Sequence, residues 1–270
     1  MELSLPAKLG RQFEAFARVV YALVLREART RHGRSRLGYL WALLEPAVQL
    51  GVLWFFYELV GRRSPVNASM AAFLLTGIFP FLAWRAASVR GATAVSSNIP
   101  LMVHPQVQPF SIVVARVLLE LATNLLVFVV FVLILRAFFG EPLSSWTDEP
   151  LHLLSALGAL ALLAFGFAMF NASMARIMTF WPELMRMTAR VLFFTSGVFY
   201  TMEALPPRAR EFVLLNPLAH IIEWIRSAAL PGFESLHYSV TYPLVWGVWL
   251  LFAGLFIDWL LRLSGHAEAH

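Results

Sequence analysis

Six apolar stretches alternate with short polar connections along the 270-residue chain, at about 37–60, 70–87, 110–139, 151–174, 187–205 and 242–261. Each approaches the roughly 20 residues that carry a helix across a bilayer, and 110–139 is long enough to tilt or project beyond it. The second contains Pro80 and ends near Trp84 and Arg85, and the fifth is interrupted by Arg190. Upstream the period changes: Leu9, Phe13, Phe16, Val20 and Leu23 recur at steps of four and three, with Arg11, Glu14 and Arg18 opposite. That pattern predicts an amphipathic helix lying in the membrane surface, the alternative being a short helix packed on protein. Between the fifth and sixth stretches, Pro206, Pro207, Pro217 and Pro231 punctuate the apolar run REFVLLNPLAHIIEWIRSAAL. It is too interrupted to span. Two short helices dipping partway into the outer leaflet fit it, provided protein or a cavity satisfies the broken backbone. The expected fold is an all-α integral membrane protein of six transmembrane helices. An amphipathic interfacial helix (1–28) precedes the membrane domain (29–262), which has short re-entrant helices between its fifth and sixth spans, and a tail (263–270) follows.

Composition supports the bilayer as solvent. The chain is 59% hydrophobic and 14% charged, where a soluble domain carries about a quarter charged residues. No Cys is present, which excludes disulfides and thiolate metal sites but locates nothing. The N-terminus lacks a secretory signal pattern. Of 21 Lys and Arg, 14 fall on the side of the termini, six on the opposite side, and Arg116 lies within a span. Both termini are therefore expected in the cytoplasm, although Arg62 and Arg63 in the first outer loop run against the trend.

Catalytic and nucleotide motifs are missing. The sequence contains no G-x-x-x-x-G-K-[ST] loop, no G-x-G-x-x-G after a strand and no G-x-S-x-G elbow. Its seven His are scattered, and the terminal HAEAH offers at most an adventitious metal contact. No enzyme, metal or bound cofactor is expected. A membrane-embedded glycan-modifying enzyme would need an acid, His or Ser constellation near one face. A secondary transporter would usually show an inverted repeat with helices broken near the midplane.

Charged residues near apolar stretches carry the remaining signal. Arg116 and Glu120 lie at i and i+4 on one face, as a mutually neutralising pair or a substrate contact. Glu45 precedes Pro46, whose missing N–H favours a kink, so Glu45 either lines a widened entrance or pairs with a nearby Arg. Arg29, Arg31, Arg34 and Arg36 sit just before the first apolar stretch. They pin topology against anionic lipid, or bind a phosphate on a lipid-like substrate through their planar forks. Glu58, Arg85 and Asp258 lie near span ends, where snorkelling explains them.

Three segments then point to a family. RHGRSRLGYLWALLEPAVQLGVLW resembles the start of the membrane domain in type-2 ABC transporter permeases that export polysaccharides. SSNIPLMVHPQVQPFSIVVARVLLE resembles that family's inner connection between the second and third spans. FFTSGVFYTMEALPPRAREFVLLNPLAHIIEWIRSAAL resembles its fifth span and two outer re-entrant helices. SGVFY and HYSVTYPL are more similar to the capsular-polysaccharide branch; O-antigen, teichoic-acid, lipid or drug permeases of the same class are the alternatives. The resemblance implies two copies around a central path in the bacterial inner membrane. It also implies two separate ATPase subunits carrying ATP and Mg, and a coupling helix at about 95–106. Asn98, Pro100, Leu101, His104 and Pro105 are its candidates. The implied cargo is a lipid-linked polysaccharide, passed on to a periplasmic adaptor and an outer-membrane channel; no nucleic acid is implied. Aromatic faces can hold sugar C–H faces without fixing a hydrogen-bond pattern. Trp41, Trp54, Phe55, Tyr57, Phe79, Trp84, Phe193, Phe194 and Tyr200 are candidates for lining the path, packing or lipid contact being the alternative.

Overall fold

The computed structural model describes residues 5–31, 38–61, 64–66, 68–139, 147 and 149–264, with side chains described outside 5–9, 31, 38–42 and 138–139. Residues 1–4, Arg34, Arg36, Arg62, Arg63, most of the acidic loop after 139 and the tail from 265 lie outside them, as do the side chains of Leu9, Arg31 and Trp41. Among the described residues every regular element is helical: α1 (Leu5–Arg31), α2 (Gly38–Leu59), α3 (Met70–Ala92), a 3₁₀ turn (Ser96–Leu101), α4 (Pro109–Phe139), α5 (Pro150–Ile177), α6 (Trp181–Thr195), a second 3₁₀ turn (Met202–Ala204), α7 (Pro207–Val213), α8 (Pro217–Ala229) and α9 (Thr241–Leu263). Four of these, α3, α5, α9 and residues 109–137 of α4, are long and apolar enough to cross a membrane.

The core forms around α3. Ser69 caps its start, accepting the Ala72 N–H at 3.0 Å. Every side from Ala71 to Trp84 is buried, because α2, α4, α5, α6 and α8 all pack on it. The tightest pairing is α5 on α9, made possible by glycine. A Cβ on Gly254 would lie 2.6 Å from the Phe170 nitrogen, and one on Gly166 would collide with the Gly247 carbonyl. With little hydrophobic drive between helices in lipid, close backbone approach supplies the dispersion contact instead.

The fifth apolar stretch differs from the sequence expectation of 187–205. The helix runs Trp181–Thr195, starting at Pro182 in its first turn and stopping before Gly197, whose φ is +75°. Fifteen residues reach about 22 Å at 1.5 Å each, short of the ~30 Å hydrocarbon core. Residues 196–201 continue the path without regular structure.

Helix α1 packs on α4, with Phe16 stacked on Phe110 at 5.7 Å and Val20 buried. Phe13 and Tyr21 stay exposed, 71% and 66%. The helix thus presents apolar side chains to protein and to its surroundings at once. Asp258 departs from the snorkelling expectation. It is buried and lies between Arg176 of α5, at 2.5 Å, and Arg262, at 2.7 Å, because a carboxylate a full turn inside α9 needs cations brought to it.

Gly254→Ala must push α5 and α9 backbones apart and is expected to destabilise by roughly 1–3 kcal/mol. Gly158→Ala, which would meet nothing within 4 Å, should be neutral or stabilising by up to ~1 kcal/mol. Thermal unfolding of the two variants in one detergent checks the difference in sign.

Candidate functional site

Where α6 stops, its carbonyls lose their helical donors, and other helices replace them. Tyr200 Oη donates to the Phe194 carbonyl at 2.9 Å, and Asn216 Nδ2 to that of Thr195 at 3.2 Å. Tyr57 of α2 donates to the Phe199 carbonyl at 2.9 Å. Arg226 of α8 takes three more: Nη1 reaches the Gly197 carbonyl at 2.5 Å and that of Tyr200 at 2.9 Å, and Nη2 reaches that of Val198 at 2.8 Å. Its side chain is fully buried, 0% exposed, with Glu223 Oε1 at 3.5 Å and the Phe73 ring 4.0 Å below the guanidinium carbon. Gly77 of α3 leaves the room, since a Cβ there would meet Arg226 Nη2 at 2.5 Å. Glu223 closes the arrangement by accepting the Met202 N–H at 3.3 Å. His220 ties the next connection: it accepts the Ser239 N–H at Nδ1, 2.9 Å, and must therefore donate from Nε2 to the Leu214 carbonyl, 2.9 Å.

Below this break, toward the end of the bundle carrying the Ser96–Leu101 turn, a cavity of about 490 Å³ opens between α2, α3, α4 and α6. Its charged lining is Arg85, Arg90, Arg186 and Arg190 against Glu45 and Glu120. Glu45 pairs with Arg85, the second of the two roles its position allowed. Glu120 is buried and accepts two hydrogen bonds from Arg90, at 2.9 and 3.1 Å. Arg116, expected as Glu120's partner, forms its ion pair with Glu27 of α1 at 3.0 Å. The two residues share a face as their spacing requires, but helices on either side supply the counter-charges.

The Ser96–Leu101 turn lies beside α1. Arg26 donates to Asn98 Oδ1 at 2.8 Å, and Asn98 Nδ2 donates to the Ala94 carbonyl, also at 2.8 Å. Asn98 is therefore buried and faces its own protein, whereas Pro100, His104 and Pro105 are exposed and Leu101 is half-buried. Two apolar residues outside the candidate set, Ile99 and Val103, stand exposed at 42% and 81%.

The eight aromatic candidates with described side chains separate. Phe193 and Phe194 line the cavity. Trp54 and Phe55 are exposed on α2. Tyr57, Phe79 and Trp84 are buried inside the protomer, Phe79 against Phe128 at 4.4 Å and Trp84 against Phe167 at 5.2 Å, so they are core. Tyr200 is half-buried at the α6 break. Of the basic entry candidates only Arg29 has a described side chain; it is exposed. Among the described residues of that set, Glu45 lines the cavity and Arg29 does not. Sequence reasoning gave Arg90 no role, noted Arg190 only as an interruption of the fifth stretch and left Arg226 inside an apolar run; Arg190 inside an apolar stretch was the one available signal.

Residues 18–230 match the model of the ABC-2 type transporter family. The polysialic acid transport protein KpsM of Escherichia coli is 31% identical over 243 residues, 90% of this chain and 93% of that protein. The capsule polysaccharide export inner-membrane protein CtrC of Neisseria meningitidis serogroup B is 28% identical over 241 residues, 88% and 89% of the two chains. The O-antigen export system permease protein RfbA of Klebsiella pneumoniae is 23% identical over 251 residues, 90% of each.

Removing the buried cation should cost more than its own contacts. Arg226→Met leaves Glu223 without its counter-charge and three carbonyls without donors in the core, and is expected to destabilise by roughly 3–5 kcal/mol. Adding Glu223→Gln should recover part of that loss in a double-mutant cycle read by thermal unfolding. Simple additivity of the two single changes would separate the residues energetically.

Proposed function

This chain belongs to the ABC-2 type transporter family, and on that premise we propose that it is the membrane permease of an ATP-driven exporter that moves capsular polysaccharide across the bacterial inner membrane. The observation that carries the reading is nearly end-to-end similarity to capsule-export permeases, stronger in identity than the similarity to an O-antigen permease. Such a chain is a transport subunit rather than an enzyme. Missing phosphate loops fit this, ATP and Mg belonging to a separate ATPase.

In this reading the bilayer is crossed six times. Helix α2, 22 residues long, supplies the first span. Helix α6 and the irregular residues after it together supply the fifth. Irregular backbone at membrane depth is tolerable where protein satisfies it, which is what Arg226, Tyr57 and Asn216 do. Helices α7 and α8 are then the re-entrant pair, residues 29–262 the transport domain, and both termini cytoplasmic on the Lys and Arg asymmetry. Two copies would enclose the path.

The Ser96–Leu101 turn and the residues to Gln106 would dock on the ATPase. Exposed Ile99, Val103, Pro100, His104 and Pro105, with half-buried Leu101, suit an apolar socket, while Asn98 and Arg26 join the turn to α1. ATP can bias the permease only by favouring one of two conformations, and this turn is the part placed to transmit that preference. Arg29, Arg31, Arg34 and Arg36 would meet the phosphate of a lipid-linked cargo at the cytoplasmic leaflet. An adaptor and an outer-membrane channel would continue the route.

Deleting the gene should remove a surface polysaccharide, which would accumulate inside the cell; an unchanged surface glycan contradicts the reading. Leu101→Asp and Pro105→Asp should abolish export with the permease still inserted and its ATPase no longer copurifying. Arg31→Gln with Arg34→Gln should slow export several-fold at unchanged topology.

A further inference from the structure

The charged cavity holds more positive than negative groups. Among the described residues, four guanidiniums face two carboxylates. Arg90 is committed to buried Glu120, Arg85 to Glu45, and Arg186 to Glu183. Among the described residues no carboxylate lies within ion-pair distance of Arg190, which borders the cavity one helical turn above Arg186. A surplus of cations between membrane helices is costly unless water or an anionic ligand answers it.

Three polar side chains share the lining and offer acceptors. The Gln49 Oε1 is buried and has no hydrogen-bond partner among the described residues. Thr123 spends its hydroxyl proton on the Leu119 carbonyl at 2.7 Å, and Asn124 donates its amide to the Glu120 carbonyl at 2.8 Å. Both keep an oxygen able to accept. One wall is aromatic, Phe193 lying 4.8 Å from Phe81 and 5.6 Å from Phe194 between ring centroids. Guanidinium forks suit an oxyanion, free acceptors suit hydroxyls, and ring faces suit the C–H side of a sugar. A bare phosphate would use the first feature only. The volume, about 490 Å³, is that of an ordinary small-molecule site.

We propose that this cavity binds an acidic sugar unit of the exported glycan, with Arg190 holding its carboxylate and Gln49, Thr123 and Asn124 meeting its hydroxyls. The inference rests on the glycan-permease reading and adds the charge class of the cargo: an acidic polysaccharide is preferred over a neutral one. Glu120 is a positioning residue that keeps Arg90 against α4. Arg190 is the contact residue, and its exposed side chain makes it replaceable without loss of fold.

The test uses the full-length permease with its ATPase in lipid nanodiscs. Three probes are titrated: a sialic acid tetramer, maltotetraose and glycerol phosphate. The tetramer should bind, maltotetraose should not, and glycerol phosphate should compete at least tenfold more weakly than the tetramer. Arg190→Gln should weaken tetramer binding roughly tenfold or more, the effect of one charge-assisted hydrogen bond. Arg208→Gln, which removes the same charge from exposed α7, should leave binding unchanged. Equal binding of tetramer and maltotetraose, equal competition by glycerol phosphate, or an unaltered Arg190→Gln would overturn the inference. The gene deletion reads separately. If deletion abolishes a surface glycan while these probes fail to discriminate, the permease reading stands and this site assignment falls.

Discussion

A helix that ends inside a packed bundle leaves carbonyls with no water to meet them, and the fold is arranged around one such end. After Thr195 the chain turns at Gly197 and runs on irregularly. The carbonyls of Phe194, Thr195, Gly197, Val198, Phe199 and Tyr200 are then met by Tyr200, Asn216, Tyr57 and, above all, Arg226. One buried guanidinium answers three of them, because its donors are fixed in a plane and can fan across a turn. Its burial fixes the neighbourhood: Gly77 must lack a side chain, Phe73 supplies a ring face, and Glu223 balances the charge while holding Met202. Helices α2, α3, α6 and α8 therefore meet at one residue, and the short helices after α6 are anchored rather than loosely appended.

Below that node the electrostatics follow one rule, that a charge between helices is answered by another helix. Glu120 is answered by α3, Arg116 by α1, Glu45 by α3 and Asp258 by α5. These cross-helix pairs hold the bundle end that carries the Ser96–Leu101 turn, and through Arg26 and Asn98 they include α1. The cavity sits where the rule leaves positive charge over. On the proposed reading the cavity borders the transport path, which must attract its cargo without gripping it, and a small local surplus beside aromatic surface suits both needs.

Much of this fold was legible in the chain. Hydropathy marked α3, α4, α5 and α9 closely, since long apolar runs have few competing explanations. Prolines at 206, 207 and 217 announced α7 and α8. The end of α6 was not legible: nothing local distinguishes SGVFY from continuing helix until Arg226, some thirty positions later, is seen to replace the lost donors. Arg116 and Glu120 were readable as neighbours but not as partners, because spacing on one helix says nothing of what the next helix brings. Aromatic residues were ambiguous for the same reason; Phe79 and Trp84 face the protomer core, whereas Phe193 and Phe194 face the cavity, and only packing decides.

The central claim is that this chain is half of a conduit driven by nucleotide hydrolysed on another subunit. Inside-out membrane vesicles containing the permease and its ATPase, supplied with lipid-linked glycan outside, test it directly. Glycan should become protected from an added glycan-degrading enzyme only when ATP and the ATPase are both present. Protection that develops without either one would contradict the account.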